Sequence, residues 1–230
     1  MLFDLQGKRR RVVQATYLTL AILMGGGLVF FGIGSDVQGG LSDAFSGGGG
    51  NGGGNEALEK RIEQNEKKVA AAPATSDAAR KALVRDYYQL AVAQASEQGT
   101  FPPDAKEDLR KSAANWRAYL KSEPEKVDAS LANTALQVFD PLALNKPKDA
   151  QEAARLVAEA TEKSTAVEAT EKSTAYLRLV QYAALAGDTR TANLAAEKAV
   201  DLAPKAERKA VKAQAEQLKN PQGAGATPQQ

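Results

Sequence analysis

The chain has 230 residues, with 30 Lys and Arg against 28 Asp and Glu, and it contains no Cys and no His. The lack of Cys excludes disulfides and thiolate chemistry, and the lack of His removes the most common general base and the most common metal ligand. Most hydrolytic and metal-dependent mechanisms lose their usual residues, so we expect neither an enzyme nor a bound cofactor or metal.

Residues 12–33 form an apolar segment without a charge, directly after the basic cluster Lys8-Arg9-Arg10-Arg11. As a helix this segment is about 33 Å long, enough to cross a hydrocarbon core of roughly 30 Å. The apolar region of a cleaved signal peptide is shorter, typically about 7–15 residues. The sequence therefore predicts an uncleaved transmembrane helix, a signal anchor. Cleavage at the small residues 32–35 is the alternative.

The charges on either side of residues 12–33 predict the orientation of the chain. Four basic residues precede the segment, whereas no Lys or Arg follows it until Lys60. Because Lys and Arg beside a membrane span stay in the cytoplasm, residues 1–11 are predicted to be cytoplasmic and everything from Gly34 onward extracytoplasmic. We therefore expect a single-pass protein of a plasma membrane, with its carboxyl-terminal part in a periplasm or at a bacterial cell surface.

The amino-terminal part also bears on the partners of the chain. Ala21 and Gly25 are four residues apart, a spacing at which small residues let two membrane helices dimerise, although glycine is generally frequent in such helices. Residues 1–33 hold four of the basic residues and one acidic residue, which leaves 26 basic against 27 acidic residues beyond them. Because that part has no excess of positive charge, we expect no nucleic acid as a partner.

Residues 34–54 include ten glycines and are predicted to be a flexible linker with an end-to-end distance of roughly 25 Å. The composition then changes to Ala, Glu, Lys, Leu and Arg, which is typical of helices. Residues 56–72 place Leu58, Ile62 and Val69 at helical spacings. They are predicted to form a solvent-exposed stalk helix, with a short coiled coil as the alternative.

A repeat-like pattern lies near the carboxyl end. Tyr176-x2-Leu179-Val180-x2-Ala183 is followed by Gly187-Asp188 and then by Ala192, Ala196, Ala199 and Pro204. This pattern resembles the tetratricopeptide repeat (TPR), although Ala196 stands where a large aromatic residue is usual. The resemblance implies two antiparallel helices that pack through these positions, with the glycine at the turn between them.

The spacing of the second helix of this unit recurs twice, in Ser112-x3-Trp116-x2-Tyr119 and in Ala153-x3-Val157-x2-Ala160. Three helix pairs are therefore predicted. The first helices are expected at residues 78–98, 127–139 and 167–186, and the second helices at 105–122, 150–164 and 189–202. The predicted fold is all-α: the transmembrane helix, the Gly-rich linker, and a helical domain at 55–220 built as an α-solenoid of about three TPR-like pairs.

Three details complete the predicted domain. The sequence Glu-Ala-Thr-Glu-Lys-Ser-Thr-Ala occurs twice, at 159–166 and at 168–175, and we expect a helix break near 164–167 because a nine-residue shift would put the copies on opposite faces of one helix. Residues 205–219 are predicted to be a polar capping helix, whose basic side chains face solvent or contact an acidic partner or anionic lipid. Residues 221–230 are predicted to be disordered.

The aromatic residues are expected to fill the core between paired helices. Tyr87, Tyr88, Trp116 and Tyr119 have spacings that would join the helices of the first pair. Phe139 and Tyr176 stand in the corresponding parts of the second and third pairs.

Stacked helix pairs form a concave surface that is lined by their first helices and holds extended peptides. The repeat numbering places Gln181 on that surface in the third pair, and Asn133 is the nearest amide in the second pair. Because a side-chain amide both donates to and accepts from a peptide backbone, Asn133 and Gln181 are the predicted partner-binding residues. A purely structural role of these amides is the alternative.

The sequence therefore predicts a membrane-anchored, extracytoplasmic module that binds other proteins or peptides as a scaffold or adaptor, near the translocon or the envelope-assembly machinery. An amino-terminal anchor with an external TPR head resembles, in layout, bacterial chaperones that associate with the translocon. The alternative is a structural or dimerisation subunit of a larger membrane complex. No GxSxG motif supports an enzyme, and no catalytic residue is predicted.

Overall fold

The computed structural model describes residues 53–96 and 99–220, and this part of the chain is all-α, as predicted. It holds eight α-helices and one 3₁₀ turn, Pro73–Thr75, with no β-strand among these residues. The helices are α1 (Gly53–Ala71), α2 (Asp77–Ala93), α3 (Pro103–Lys121), α4 (Ala129–Phe139), α5 (Pro147–Lys163), α6 (Ala169–Leu185), α7 (Thr189–Leu202) and α8 (Arg208–Lys219).

Several predictions concern residues outside the described ranges. These are the cytoplasmic segment 1–11, the transmembrane helix 12–33, most of the linker 34–54 and the tail 221–230, and they stay predictions. Among the eight described helices, none combines the length and the apolar character that a membrane crossing requires. Helix α1 begins at Gly53, so the last two residues of the predicted linker belong to a helix.

Consecutive helices pack as pairs: α2 contacts α3, α4 contacts α5, and α6 contacts α7. Their bounds lie within a few residues of the predicted ones, except that α2 ends at Ala93 rather than near residue 98. Contacts also join the pairs, since α4 touches α2 and α3, and α5 touches α6. Helix α8 lies on both α6 and α7, and one continuous cluster of buried side chains runs from α2 to α8.

Small residues explain the close packing of the second helices. Helices α5 and α7 bury almost only alanine, at Ala150, Ala153, Ala154 and Ala158 in α5 and at Ala192, Ala195, Ala196 and Ala199 in α7. Large side chains fill the space between helices elsewhere, with Trp116 and Tyr119 of α3 each 2% exposed and Phe139 fully buried. The rings of Trp116 and Tyr119 lie 5.9 Å apart, as expected for core residues.

The prediction of a solvent-exposed stalk helix was wrong for one side of α1. Ile62 is 6% exposed and packs against Leu83 and Tyr87 of α2, and Arg61 Nη2 lies 2.6 Å from Asp86 Oδ1. Tyr87 therefore belongs to the contact between α1 and α2 and does not join the core of the first pair. The burial of Ile62 was not predictable from the sequence of α1 alone, because it depends on Leu83 and Tyr87 of α2.

The duplicated sequence adopts two conformations, with the predicted break between them. The first copy ends α5 at Lys163, and Ser164 then turns to an extended backbone with ψ 131°. The second copy begins α6 at Ala169, and its Ser173 is buried and donates a hydrogen bond to the carbonyl oxygen of Ala199 at 2.8 Å. The same eight residues thus end one helix and begin the next, and only in the second copy does the serine bond to α7.

The capping helix is shorter than predicted. Residues 205–207 form a turn in which the amide of Glu207 bonds to the carbonyl oxygen of Pro204 at 2.8 Å, and α8 begins only at Arg208. Val211 and Ala215 are its buried residues.

Candidate functional site

Helices α2, α4 and α6 are the first helices of the three pairs, and polar side chains connect them. We call the surface that carries these side chains the first-helix surface; its members are Arg85 and Tyr88 of α2, Asn133 and Gln137 of α4, and Arg178 and Gln181 of α6. On α4 the buried residues are Leu131, Ala132, Ala135, Leu136, Val138 and Phe139, so Asn133 and Gln137 occupy its partly exposed side.

Helix α4 is bound to both neighbours through its side-chain amides. The hydroxyl of Tyr88 on α2 donates to Gln137 Oε1, and Arg178 Nη1 on α6 donates to Asn133 Oδ1 at 3.1 Å. A guanidinium has no acceptor, so the contact with Arg178 fixes which end of the Asn133 amide faces α6. At the amino end of α4, Arg85 Nη2 lies 2.9 Å from Asp128 Oδ2.

These contacts occupy the two amide oxygens and leave the two amide NH₂ groups as donors. Within residues 53–96 and 99–220, neither Asn133 Nδ2 nor Gln137 Nε2 makes a hydrogen bond. Residues four apart on a helix have Cβ atoms about 5–6 Å apart. Carbonyl groups on one edge of an extended chain recur every two residues, or about 6.7 Å. The typical Cβ separation at this spacing is thus comparable with the distance between alternate carbonyl oxygens of an extended peptide.

The carboxylate of Asp140, directly after α4, affects the pKa of three side chains, Tyr88, Arg178 and Tyr182. Tyr182 Oη donates to Asp140 Oδ2 at 2.7 Å. Burial lowers the pKa of the Arg178 guanidinium to about 10, with Tyr182 and Asp140 acting in the opposite direction. Burial also raises the pKa of the Tyr182 and Tyr88 hydroxyls, and the charge of Asp140 adds to both shifts. Arg178 thus stays a cation and both tyrosines stay protonated at neutral pH, so these groups act as hydrogen-bond donors.

Exposed apolar side chains lie at the carboxyl ends of two first helices. Val92 of α2 is 45% exposed and Leu185 of α6 is 37% exposed. Each lies one helical turn beyond a polar member of the first-helix surface, Tyr88 and Gln181 respectively. Contact with apolar side chains of a ligand is therefore available beside the hydrogen-bond donors.

The two predicted binding residues lie on two different first helices, Asn133 on α4 and Gln181 on α6. Asn133 is half-buried on α4 and contacts Arg178, which is three residues before the exposed Gln181 on α6. Their role in binding stays a prediction. Gln137 was not predicted as a binding residue, although it follows Asn133 by one helical turn. Arg178 was not predicted either, although it interrupts an otherwise apolar stretch of α6.

A comparison of the chain with protein-family models, with curated proteins and with solved structures finds no match. Over the described part of the chain, no group of three or more acidic residues is placed to hold a metal ion. The function is therefore inferred from the chain's own residues and their contacts.

Proposed function

We propose that this chain is a membrane-anchored, extracytoplasmic scaffold or adaptor. Its helical part, a TPR-like α-solenoid of three helix pairs and a capping helix, binds an extended segment of another protein on the first-helix surface. The observation that carries this proposal is the pair of amide NH₂ groups on Asn133 and Gln137, which make no hydrogen bond within the described residues while Arg178 and Tyr88 hold the two amide oxygens.

The packing of the helices supports the solenoid. Each first helix contacts its second helix, each pair contacts the next, and α8 covers the last pair. In a stack of this kind each unit is stabilised mainly by its neighbours, and the first helices lie side by side along one surface. The hydrogen bonds from Tyr88 and Arg178 to α4 join the three first helices in that order.

The chemistry of the first-helix surface supports an extended peptide as the ligand. Main-chain hydrogen bonds give such complexes affinity that depends little on the ligand's sequence, and pockets for alternate side chains add selectivity. The side-chain amides of Asn133 and Gln137 supply donors for main-chain carbonyl groups of the ligand. Gln181 supplies a further exposed amide, and Val92 and Leu185 supply apolar contact. A scaffold that serves several partners needs this combination.

The amino-terminal sequence supports the location. Residues 12–33 are apolar and uncharged, and the basic residues 8–11 precede them, which favours a cytoplasmic amino terminus and an external head. Protease added to spheroplasts should digest the head from outside. Protection of the head in that experiment would reverse the orientation.

Selection of peptides from a displayed random library on the full-length protein tests the binding surface. Selected peptides should bind at least about tenfold more weakly when Gln137 and Gln181 are both replaced by Ala, because about 1.4 kcal/mol of hydrogen bonding is removed. Gln214→Ala is the matched control, since Gln214 is an exposed amide on α8, and it should bind like the wild type.

A selection that enriches no peptide would contradict the proposed binding surface. If no peptide is enriched while the full-length protein still co-purifies with membrane proteins, the chain is a structural subunit of a membrane complex and the peptide-binding proposal is wrong. Equal losses with Gln214→Ala would also contradict it, because binding would then not depend on the first helices.

A further inference from the structure

A second candidate site shares no residue with the first-helix surface. A cleft of about 620 Å³ lies between α3 and the segment that joins α4 to α5. Four cationic side chains line it, Lys106, Arg110 and Arg117 from α3 and Lys146 from the opposite wall. We call this site the basic cleft. Its volume is within the range of about 300–1,000 Å³ that is typical of binding pockets.

The α3 wall of the basic cleft is one helical face. Lys106, Arg110, Ala113 and Arg117 follow one another at intervals of three or four residues, so their side chains share one side of the helix. Ala113 is only 1% exposed and its small side chain leaves space between the cations. The cleft is thus a depression with an apolar floor and charged walls.

Backbone hydrogen bonds fix the opposite wall. The amides of Leu144, Asn145 and Lys146 bond to the carbonyl oxygens of Val138, Asp140 and Phe139 at 3.2, 3.0 and 3.0 Å respectively. These bonds satisfy carbonyl groups at the end of α4 and at the Asp140 cap, and the Asp140 carbonyl oxygen also accepts from the amide of Ala143 at 3.0 Å. Leu142 on this wall is 77% exposed, the most exposed of the large apolar side chains that the structure describes.

Most of the positive charge in the basic cleft is uncompensated. Arg117 is paired with Asp149, with Nε 3.1 Å from Oδ1 and Nη2 3.0 Å from Oδ2. Among the residues that the structure describes, no carboxylate lies within 4.0 Å of Lys106, Arg110 or Lys146. The chain beyond residue 33 carries 26 basic against 27 acidic residues, so this cluster does not follow from the overall composition.

We propose that the basic cleft binds an acidic segment of a partner protein. Carboxylates of that segment pair with Lys106, Arg110 and Lys146, and an apolar side chain between them covers Leu142. A nucleic acid needs a long basic tract along its phosphates, whereas the positive charge here is confined to one depression. A bilayer contacts projecting residues, and Ala113 at the floor would stay out of its reach. The proposal uses no residue of the first-helix surface and does not depend on the proposed function.

Fluorescence anisotropy with the full-length protein in a non-ionic detergent tests this site. The probe is a short fluorescein-labelled peptide in which glutamates flank one phenylalanine, and its control replaces each glutamate by glutamine. The acidic peptide should bind saturably and more weakly as salt is added, and the glutamine peptide should not bind. Lys106→Glu with Arg110→Glu should weaken binding of the acidic peptide by about tenfold or more.

Three further variants make the test specific. Lys146→Glu changes the other wall and should weaken binding about threefold to tenfold, which keeps the test decisive if the double variant fails to fold. Leu142→Ser should weaken binding of the phenylalanine peptide but not of a version with alanine in its place. Lys148→Glu is the control, because Lys148 is exposed and does not line the cleft, and its affinity should equal that of the wild type.

Several results would overturn the proposal. One is no saturable binding of the acidic peptide, and another is equal weakening by Lys148→Glu and by Lys146→Glu. A third is tighter, Lys146-dependent binding of a single-stranded oligonucleotide or of phosphatidylglycerol vesicles, which would assign the cleft to a different class of ligand.

Discussion

Replacing Trp116 with Ala should destabilise the helical part by about 3–5 kcal/mol. Trp116 is 2% exposed and lies in the core beside Tyr119. A buried indole removes about 150–250 Å² from water, and at about 25 cal/mol per Å² this area corresponds to about 4–6 kcal/mol as an upper value. The measured loss should be lower than this upper value, because the denatured chain already buries part of its apolar surface.

Urea denaturation followed by far-ultraviolet circular dichroism measures this loss. Fluorescence is unsuitable, because Trp116 is the only tryptophan of the chain. Trp116→Phe should lose less than Trp116→Ala because it keeps an aromatic ring, and Lys121→Gln, at an exposed position of the same helix, should change the free energy of unfolding by less than about 0.5 kcal/mol. A loss below about 1 kcal/mol for Trp116→Ala, with an unchanged dependence on urea, would refute the placement of Trp116 in the core.

Two further predictions concern single polar groups. Ser173→Ala should lower the free energy of unfolding by about 1 kcal/mol, because the buried hydroxyl loses its bond to the Ala199 carbonyl. Ser164→Ala, at the same place in the other copy of the duplicated sequence, should be nearly neutral. Equal urea midpoints of the two variants would contradict this prediction. Hydrogen bonds from Thr191 and Gln151 lower the pKa of Asp188 from 3.8 to about 2, so the stability it contributes is complete above about pH 4 and is lost as the pH falls towards 2. Asp188→Asn should therefore show a shallower fall of the thermal midpoint between pH 4 and pH 2, and a fall as steep as in the wild type would contradict this role.

The helix pairs are largely predictable because their determinants are local. Small residues at fixed spacings, such as Ala153 in α5 and Ala196 in α7, mark the helix faces that approach a neighbour closely. Gly187 marks a turn, where its φ of 76° is unfavourable for other residues. The break in the duplicated sequence follows from helix geometry alone, since a continuous helix would turn identical residues to opposite sides.

Features that depend on contacts between distant residues are not predictable in the same way. The burial of Ile62 requires Leu83 and Tyr87 of α2, and the late start of α8 requires the turn at residues 205–207. Asn133 can be selected as an amide near a repeat position, but its orientation depends on Arg178, 45 residues further along the chain.

The basic cleft is the clearest example of a feature that depends on contacts between distant residues and is not predictable from local sequence. Three of its cations lie on α3 at spacings that the sequence reveals, but such a row is usually a solvated helix face. Only the fixed segment between α4 and α5, with Lys146 and Leu142, makes the row one wall of a cleft. The position of that segment depends on the carbonyl groups at the end of α4, which no pattern in α3 indicates.

Photo-cross-linking from the first-helix surface in intact cells tests the central claim most directly. A photoreactive residue at Gln181 or at Asn133 should capture proteins that lie outside the cytoplasm, and the same residue at Gln214 on α8 should capture none of them. Capture of cytoplasmic proteins alone would contradict both the predicted orientation and the proposed function. Equal capture from Gln214 would contradict the assignment of binding to the first helices.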